Sequence, residues 1–138
     1  MLVRAVILEG PLPPLTPAEA APDAPPPGVG ARLVFEGIVR PTEAGAPIDA
    51  LTYQVYDPMA TTVLQRLGDE IALRHGLLGL RVWHSRGRVP AGACSFRLEV
   101  WSAHRAEALL AMGEFIDRLK RDVPIWKLGA SAAQPSRA

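Results

Sequence analysis

The feature that most constrains the fold is a run of prolines near the N-terminus. Eight of the 14 prolines fall between Pro11 and Pro27, in the segment PLPPLTPAEAAPDAPPP. Proline fixes its own backbone angle and has no N–H to donate, so this segment forms neither a central strand nor a long helix. We therefore predict an extended connector over residues 10–30, which joins a first strand (1–9) to the rest of a single domain (1–138).

Strands and helices alternate in the rest of the chain. Apolar runs and apolar–polar alternation predict four further strands, over residues 31–39, 48–56, 78–84 and 94–101. Because pairs of strands separate the helices, we predict an α+β fold with a mostly antiparallel sheet and two main helices. The last residues, 128–138, are small and polar, and we expect a short flexible tail there.

Two local signals place the helices. Asp57-Pro58 predicts the start of the first helix, with Asp57 as its N-cap. Ser102 is predicted to cap a second helix over residues 103–121. The residues of this second helix expected to face the core are Ala106, Leu109, Leu110, Gly113, Ile116 and Leu119.

Composition excludes several classes of protein. Hydrophobic residues make up 49% of the 138 residues and charged residues 21%, which is typical of a globular domain and not of a disordered chain. The formal net charge of +1 argues against binding nucleic acid through bulk charge. The single cysteine, Cys94, excludes an internal disulfide and favours a cytoplasmic location; we expect it to be a buried small residue. No apolar run is long enough to span a membrane.

The basic residues are divided unevenly between the two kinds. Of the 15 Lys and Arg residues, only Lys120 and Lys127 are lysine. An amine can lose its proton when it is desolvated or placed beside another cation, whereas a guanidinium cannot. Pro124 prevents the second helix from continuing, so the chain must turn after Arg121, and a returning segment can bring the two amines together. They are candidates for proton transfer, and chance survival on the surface is the alternative.

A second candidate site is the segment Ser102-Ala103-His104-Arg105, where a strand ends and a helix begins. The unpaired N–H groups and the positive end of the helix dipole suit an anion such as phosphate. The alternative is that both basic side chains lie on a solvated first turn. The strand end over 37–40 (GIVR) is a third, weaker candidate.

No metal site is predicted. The other two histidines, His75 and His84, have no partner at metal-ligand spacing, and both are expected to be surface or core histidines. The sequence also lacks a Gly-rich phosphate loop, a Ser-His-Asp set and a Cys-His zinc pattern.

Several fragments, taken in order, match one family pattern. They are FEGIVR (35–40), LTY (51–53) with Tyr56 and Met59, HSRG (84–87) with Gly92, SAHRA (102–106), and Asp117 with LKRDVPIWK (119–127). On these residues the chain resembles the large, catalytic subunit of molybdopterin synthase, the MoaE family, over roughly residues 31–127. The SxHR block followed at the right distance by LKxxxPIWK is the specific part of the resemblance.

The resemblance implies an activity and an assembly. Members of this family install two sulfurs, as a dithiolene, in cyclic pyranopterin monophosphate. The sulfur comes from the C-terminal glycine thiocarboxylate of a small ubiquitin-like partner that ends in Gly-Gly. The resemblance further implies an α/β-hammerhead-like fold, a central dimer of the large subunit, no metal and no permanently bound cofactor.

The resemblance also implies roles for individual residues. Lys120 and Lys127 match the catalytic pocket lysines, which transfer protons and stabilise charge as the thiocarboxylate carbonyl is attacked. The residues that it implies for substrate binding in the same pocket are Ile38, Val39, Arg40, His104 and Arg105.

The chain departs from the family pattern in several places. Leu128 and Gly129 follow the second lysine, where the family usually has a basic residue and then glutamate. Ala93 stands where an acidic residue is usual, the tail is shorter than usual, and the proline-rich connector replaces a helix. These departures leave a second hypothesis open: a divergent paralogue that binds the small partner or a pterin without catalysis.

Overall fold

A computed structural model describes residues 1–15 and 26–132 of the chain. In chain order, its elements are β1 (Leu2–Glu9), β2 (Ala31–Ile38), β3 (Thr42–Glu43), β4 (Ala46–Val55), α1 (Met59–Arg74), β5 (Gly79–Pro90), β6 (Cys94–Ser102), α2 (Arg105–Asp122) and β7 (Ile125–Ala132). Neither helix in these residues is long and apolar enough to cross a membrane.

The strands form one sheet in which β5 and β6 are central. The hydrogen-bonded order is β2-β6-β5-β4-β3, with β1 beside β5 and β7 beside β4. β1 and β5 run parallel, and every other strand pair in the described residues is antiparallel. The predicted α+β class, with a mostly antiparallel sheet and two main helices, is confirmed.

The strand β5 is longer than predicted because it changes partner along its length. Residues 79–84 pair with β6, and residues 87–90 pair with β4. Gly87 lies at this change with a φ of +77°, a conformation that glycine adopts without steric cost. The prediction ended the strand at His84 because Gly87 and Pro90 indicated a turn. The backbone bends there, but its pairing continues.

Two apolar cores flank this bend. The larger core lies between the sheet and the two helices, and its fully buried members include Leu64, Ile71, Leu80, Leu98 and Phe115. The smaller core lies around β4 and the far end of β5, and it consists of Val39, Ile48, Leu51 and Val89. Burying one such large side chain stabilises a fold by about 1.5–3 kcal/mol.

Helix α1 begins one residue later than the predicted start, and Asp57 is not its N-cap. The N-cap is Pro58, with no side-chain cap bond. The Asp57 carboxylate instead accepts hydrogen bonds from Thr61 Oγ1 at 2.9 Å and from Arg86 Nη1 at 2.8 Å. Asp57 therefore ties the helix start to β5.

Helix α2 also differs from its prediction in start and in orientation. Its N-cap is His104, and Ser102 Oγ donates to the backbone oxygen of His104 instead of capping the helix. Leu109 and Leu110, expected to face the core, are 58% and 67% exposed, and Ala106 and Gly113 are exposed as well. The buried residues of the helix are Ala108, Ala111 and Phe115. Apolar residues occur on more than one face of α2, so periodicity alone did not identify the inner one.

The C-terminal segment forms a strand where a flexible tail was expected. β7 pairs with β4 from Ile125 opposite Val55 to Ala132 opposite Ile48. The predicted tail is therefore wrong for residues 128–132, and residues 133–138 lie outside the described residues. Gly, Ala and Ser have little β propensity, so the sequence carried no strand signal. The strand forms because β4 offers main-chain partners along its length.

The proline-rich connector is described only at its two ends. Residues 10–15 and 26–30 contain neither helix nor strand, as predicted, and residues 16–25 lie outside the described residues. The Leu12 N–H donates to the Cys94 carbonyl, and the Gly30 N–H donates to the Ser102 carbonyl. The two described ends of the connector are therefore hydrogen-bonded to opposite ends of β6.

Candidate active site

A cavity of about 380 Å³ lies where the two cores meet. It opens between the last turns of α2, the strands β4 and β7, and the end of β2. The charged residues that line it, and the residues at the end of β2, are Ile38, Val39, Arg40, Glu43, Lys120 and Lys127. A volume of this order suits a small molecule or the extended end of a peptide.

The end of β2 contributes three consecutive residues to this cavity. A register shift between Gly37 and Ile38 interrupts the pairing with β6. Ile38 is 50% exposed, Val39 is buried in the smaller core, and Arg40 is exposed. A Cβ added to Gly37 would lie 3.3 Å from Cβ of Phe96, so a side chain at this position would crowd the cavity wall.

Both lysines of the chain line this same cavity. Lys120 lies in the last turn of α2, and the chain then turns at Val123-Pro124 into β7, which carries Lys127. Lys127 stands opposite Tyr53 in the ladder between β7 and β4. The structure therefore brings the two lysines to one cavity, and this depends on a strand that the sequence did not indicate.

The cavity carries more positive than negative charge. Arg40, Lys120 and Lys127 line it, against one carboxylate among the described residues, that of Glu43. Lys127 Nζ lies 3.4 Å from Glu43 Oε1. Within the described part of the chain, the side chains of Arg40 and Lys120 have no hydrogen-bond or ion-pair partner. Two unpaired cations at one cavity favour an anionic ligand.

Sequence reasoning missed Glu43 entirely. The residue lies on β3, in the short hairpin that joins the end of β2 to β4. Its contact with Lys127 joins residues 84 positions apart in the chain. No motif marks such a carboxylate, because only the pairing of β7 with β4 brings the two side chains together.

The start of α2 lies away from this cavity. His104 and Lys120 are separated by about 24 Å along the helix, at about 1.5 Å per residue. The side chain of His104 is 84% exposed, Arg105 is also exposed, and neither residue lines the cavity. Within one chain, the structure therefore does not bring them to the cavity of the lysines. The backbone N–H of His104 donates to Glu107 Oε2 at 3.1 Å, which satisfies one group of the helix start.

An aromatic wall, which we define as Tyr53, His84 and Phe96, closes the inner side of the cavity. The ring centroid of His84 lies 5.3 Å from that of Tyr53 and 5.9 Å from that of Phe96. Tyr53 Oη lies within 3.1 Å of Ser95 Oγ. His84 is buried, which agrees with one of the two expectations for it. His84 begins one of the runs that match the family pattern, but no place in a ligand cavity was predicted for it.

The pKa values of two buried groups near the cavity differ from their ordinary values. Burial lowers the pKa of His84, and its hydrogen bond with the Ser85 backbone acts in the opposite direction. Burial also raises the pKa of the Cys94 thiol, which confirms Cys94 as a buried small residue. The described residues contain no cluster of three or more His, Cys, Asp or Glu side chains that could hold a metal ion.

The fold and the cavity together define an α+β domain with a cationic cavity of small-molecule size. A family model described as MoaE protein matches residues 13–122. The chain is 32% identical over 114 residues to the molybdopterin synthase catalytic subunit of Aspergillus niger, covering 83% of this chain and 63% of that relative's length. The chain therefore belongs to the MoaE family.

Solved structures of related proteins agree with this assignment. Molybdopterin synthase from Staphylococcus aureus matches with a TM-score of 0.75 at 30% identity, over 91% of this chain and 93% of that one. A complex of subunits 1 and 2 of molybdopterin-converting factor from Helicobacter pylori matches with a TM-score of 0.70 at 26% identity, over 95% and 90% of the two chains. These likenesses confirm the fold expected from the resemblance.

Proposed function

We propose that this chain is the catalytic subunit of a molybdopterin synthase, a sulfurtransferase. It transfers sulfur from the thiocarboxylated C-terminus of a small ubiquitin-like partner to cyclic pyranopterin monophosphate, and so forms the dithiolene of molybdopterin. The observation that carries this proposal is the convergence of Lys120, Lys127 and Arg40 on one cavity. Membership of the MoaE family supports the same reaction.

The charge of the cavity suits both reactants. A glycine thiocarboxylate and a phosphate are anions, and Arg40 and Lys120 have no partner among the described residues to compete with them. A Gly-Gly end has no side chains, so it can enter a narrow cavity as an extended strand. Arg40 is suited to bind either anion through two parallel hydrogen bonds.

The lysines act at the acyl carbon of the carrier. Once the thiocarboxylate sulfur has bonded to the substrate, water attacks this carbon and negative charge develops on the carbonyl oxygen. The carbon–sulfur bond then breaks, which leaves a carboxylate on the carrier and the sulfur on the substrate. A nearby ammonium stabilises that charge, and an amine that exchanges its proton serves as acid or base. A guanidinium fulfils only the first role, because it stays protonated.

The proposed assembly is a dimer of this chain with one small subunit bound to each copy. His104 and Arg105 lie about 24 Å along α2 from Lys120, so they reach a ligand in such a cavity only from a second copy. Their exposure, and the absence of any described partner for Arg105, support this arrangement. The two-subunit complex from Helicobacter pylori supports the small partner.

Charge-preserving substitutions test the proposed catalysis. We expect Lys120→Arg and Lys127→Arg each to lower dithiolene formation by at least about 100-fold, because arginine keeps the charge but cannot exchange the proton. Purified protein is assayed with the thiocarboxylated partner and cyclic pyranopterin monophosphate. Arg121→Lys is the matched control, since its side chain is 70% exposed and does not line the cavity.

Two results would contradict the proposal. Full turnover in both lysine variants, with their melting temperatures unchanged, would remove the lysines from the mechanism. Complex formation by the wild-type chain without any dithiolene product would favour the non-catalytic paralogue, the alternative motivated by Leu128 and Gly129 after the second lysine.

A further inference from the structure

The wall of the cavity contains a histidine that the proposed mechanism does not use. Gly37, Phe96 and His84 stand opposite one another on β2, β6 and β5, so they form one row across the sheet. His84 is 7% exposed and lines the cavity. Tyr53 meets its ring edge-on, with an interplanar angle of 86°, and Phe96 packs on its other side. These contacts hold the imidazole in one orientation.

The hydrogen bonding of this ring assigns its tautomer. His84 Nδ1 lies 2.7 Å from the backbone oxygen of Ser85. A carbonyl oxygen only accepts, so Nδ1 carries the hydrogen and donates it. In a neutral imidazole, Nε2 then has a lone pair and acts as an acceptor. Within the described residues, Nε2 has no hydrogen-bond partner, and it is not among the fully buried unsatisfied atoms.

The surroundings of His84 keep it neutral. Burial lowers its pKa from the ordinary value of 6.5. The charged groups that line the cavity with it are Arg40, Lys120, Lys127 and Glu43, and the carboxylate of Glu43 is engaged by Lys127. Tyr53, the other titratable group on this wall, is hydrogen-bonded with Ser95.

A neutral acceptor is the wrong partner for the anionic ends of the proposed ligands. At neutral pH, a thiocarboxylate has only acceptor atoms, and a phosphate monoester or diester is bound mainly as an acceptor. An acceptor nitrogen in the wall therefore requires a donor on another part of the ligand. Both proposed ligands supply one: the reduced pterin has ring N–H groups, and the Gly-Gly end has amide N–H groups.

We propose that His84 is a ligand-contacting residue of this cavity, whose Nε2 accepts a hydrogen bond from an N–H group of the bound ligand. This inference rests on the proposed function and deepens it. The cations hold the anionic end of the ligand while His84 holds a donor on its neutral part, so the cavity accepts its ligand in one orientation. His84 is in this way a specificity-determining residue of the site.

Substitutions at His84 test this contact through binding. His84→Phe keeps an aromatic ring between Tyr53 and Phe96 but removes the acceptor, and we expect it to weaken binding of one ligand about tenfold. His84→Gln places a side-chain oxygen near the position of Nε2 and restores most of that loss. Calorimetry is run separately with unmodified partner ending in Gly-Gly and with cyclic pyranopterin monophosphate. His75→Gln is the control, because His75 contacts Glu114 and does not line the cavity.

Nitrogen-15 NMR of the histidines in the wild-type chain avoids any question of misfolding. We expect Nε2 of His84 to resonate as an unprotonated nitrogen at pH 7, and to shift when the ligand that supplies the donor is added. The pKa of His84 then falls further, because a donor at Nε2 stabilises the neutral ring. A shift with the partner alone identifies an amide donor, and a shift with the pterin alone identifies a ring donor.

The two proposals fail in different ways. Both ligands bound without any shift at His84, or with His84→Phe unchanged in affinity for both, would overturn the contact and leave catalysis standing. Binding with a shift at His84 but no dithiolene product would overturn catalysis and leave the contact standing. If neither ligand bound the wild-type chain, both proposals would be wrong.

Discussion

Lys120 and Lys127 illustrate what a single residue type can indicate. In a chain where arginine supplies 13 of the 15 Lys and Arg residues, an amine is the exception. Arginine and lysine are equivalent on most solvated surfaces, but only lysine changes its protonation readily. The placement of both lysines at one cavity favours the functional interpretation over chance survival on the surface, which composition alone could not do.

Glu43 is the residue whose role is easiest to isolate. Its carboxylate lies 3.4 Å from Lys127 Nζ, in a partly exposed pair that contributes little to stability. We expect Glu43→Gln to change the free energy of unfolding by less than about 0.5 kcal/mol, while kcat falls by up to about fivefold because Lys127 loses its orienting partner. Urea unfolding and steady-state turnover measure the two effects.

A matched control for this variant is Glu70→Gln. Glu70 pairs with Arg118 at 2.8 Å in a similarly exposed ion pair, remote from the cavity. We expect the Glu70→Gln variant to leave both the free energy of unfolding and kcat unchanged. An unaltered kcat in Glu43→Gln would show that Lys127 needs no carboxylate partner, despite the loss of the acidic residue that usually follows this lysine in the family.

At the scale of elements, the face of the sheet opposite the two helices carries a buried ionic network. The Glu99 side chain on β6 is fully buried, and it accepts hydrogen bonds from Arg81 Nε at 2.6 Å and from Arg32 Nε at 2.7 Å. The Arg81 guanidinium also lies 5.0 Å from the ring centroid of Trp101. One carboxylate thus joins β2, β5 and β6.

Removing that carboxylate takes its counter-charge from the buried Arg81 guanidinium, whose side chain is 6% exposed, and from the exposed Arg32. We expect Glu99→Gln to lower the free energy of unfolding by about 3–5 kcal/mol, the usual cost of breaking a buried ion pair on one side. Urea unfolding followed by Trp fluorescence measures it, provided the slope with denaturant is unchanged. A loss below about 1 kcal/mol, similar to an exposed pair, would contradict a structural role for the network.

Element boundaries show how far pattern reasoning extends. The strands β2, β4 and β6 and both helices were predicted, because apolar periodicity records which face is buried. β7 was missed because its eight residues, from Ile125 to Ala132, bury almost no side chain. Its existence depends on the hydrogen-bonding edge of β4, which is not a property of the segment itself.

At the scale of the whole molecule, the site residues divide into two groups. Ile38, Val39, Arg40, Lys120 and Lys127 line one cavity, while His104 and Arg105 lie at the far end of α2. A helix fixes the distance between its ends, so no local adjustment brings the groups together. The proposed dimer, in which each copy completes the site of the other, can be tested by mixing inactive chains.

We expect Lys120→Arg and Arg105→Ala chains, each inactive alone, to regain activity when co-assembled. In a mixed dimer, one site receives both defects and the other receives none. Random pairing makes about half of the dimers mixed, and each has one intact site of two, so the expected activity is about a quarter of the wild-type value. Dithiolene formation after co-expression is the measurement. The control mixture of Lys120→Arg and Lys127→Arg chains stays inactive, since each site keeps a defect. No recovery in the first mixture would contradict sites shared between copies.

By itself, the sequence determined the α+β class, the main elements and the residues with distinctive chemistry, because burial periodicity and residue type are local properties of the chain. Tertiary structure decided which of these residues meet. It brought Lys127 to Lys120 through β7, placed Glu43 and His84 in the same cavity, and kept His104 and Arg105 away from it. These contacts arise from strand pairing between distant segments and from the rigid length of α2, neither of which is encoded in any one stretch of residues.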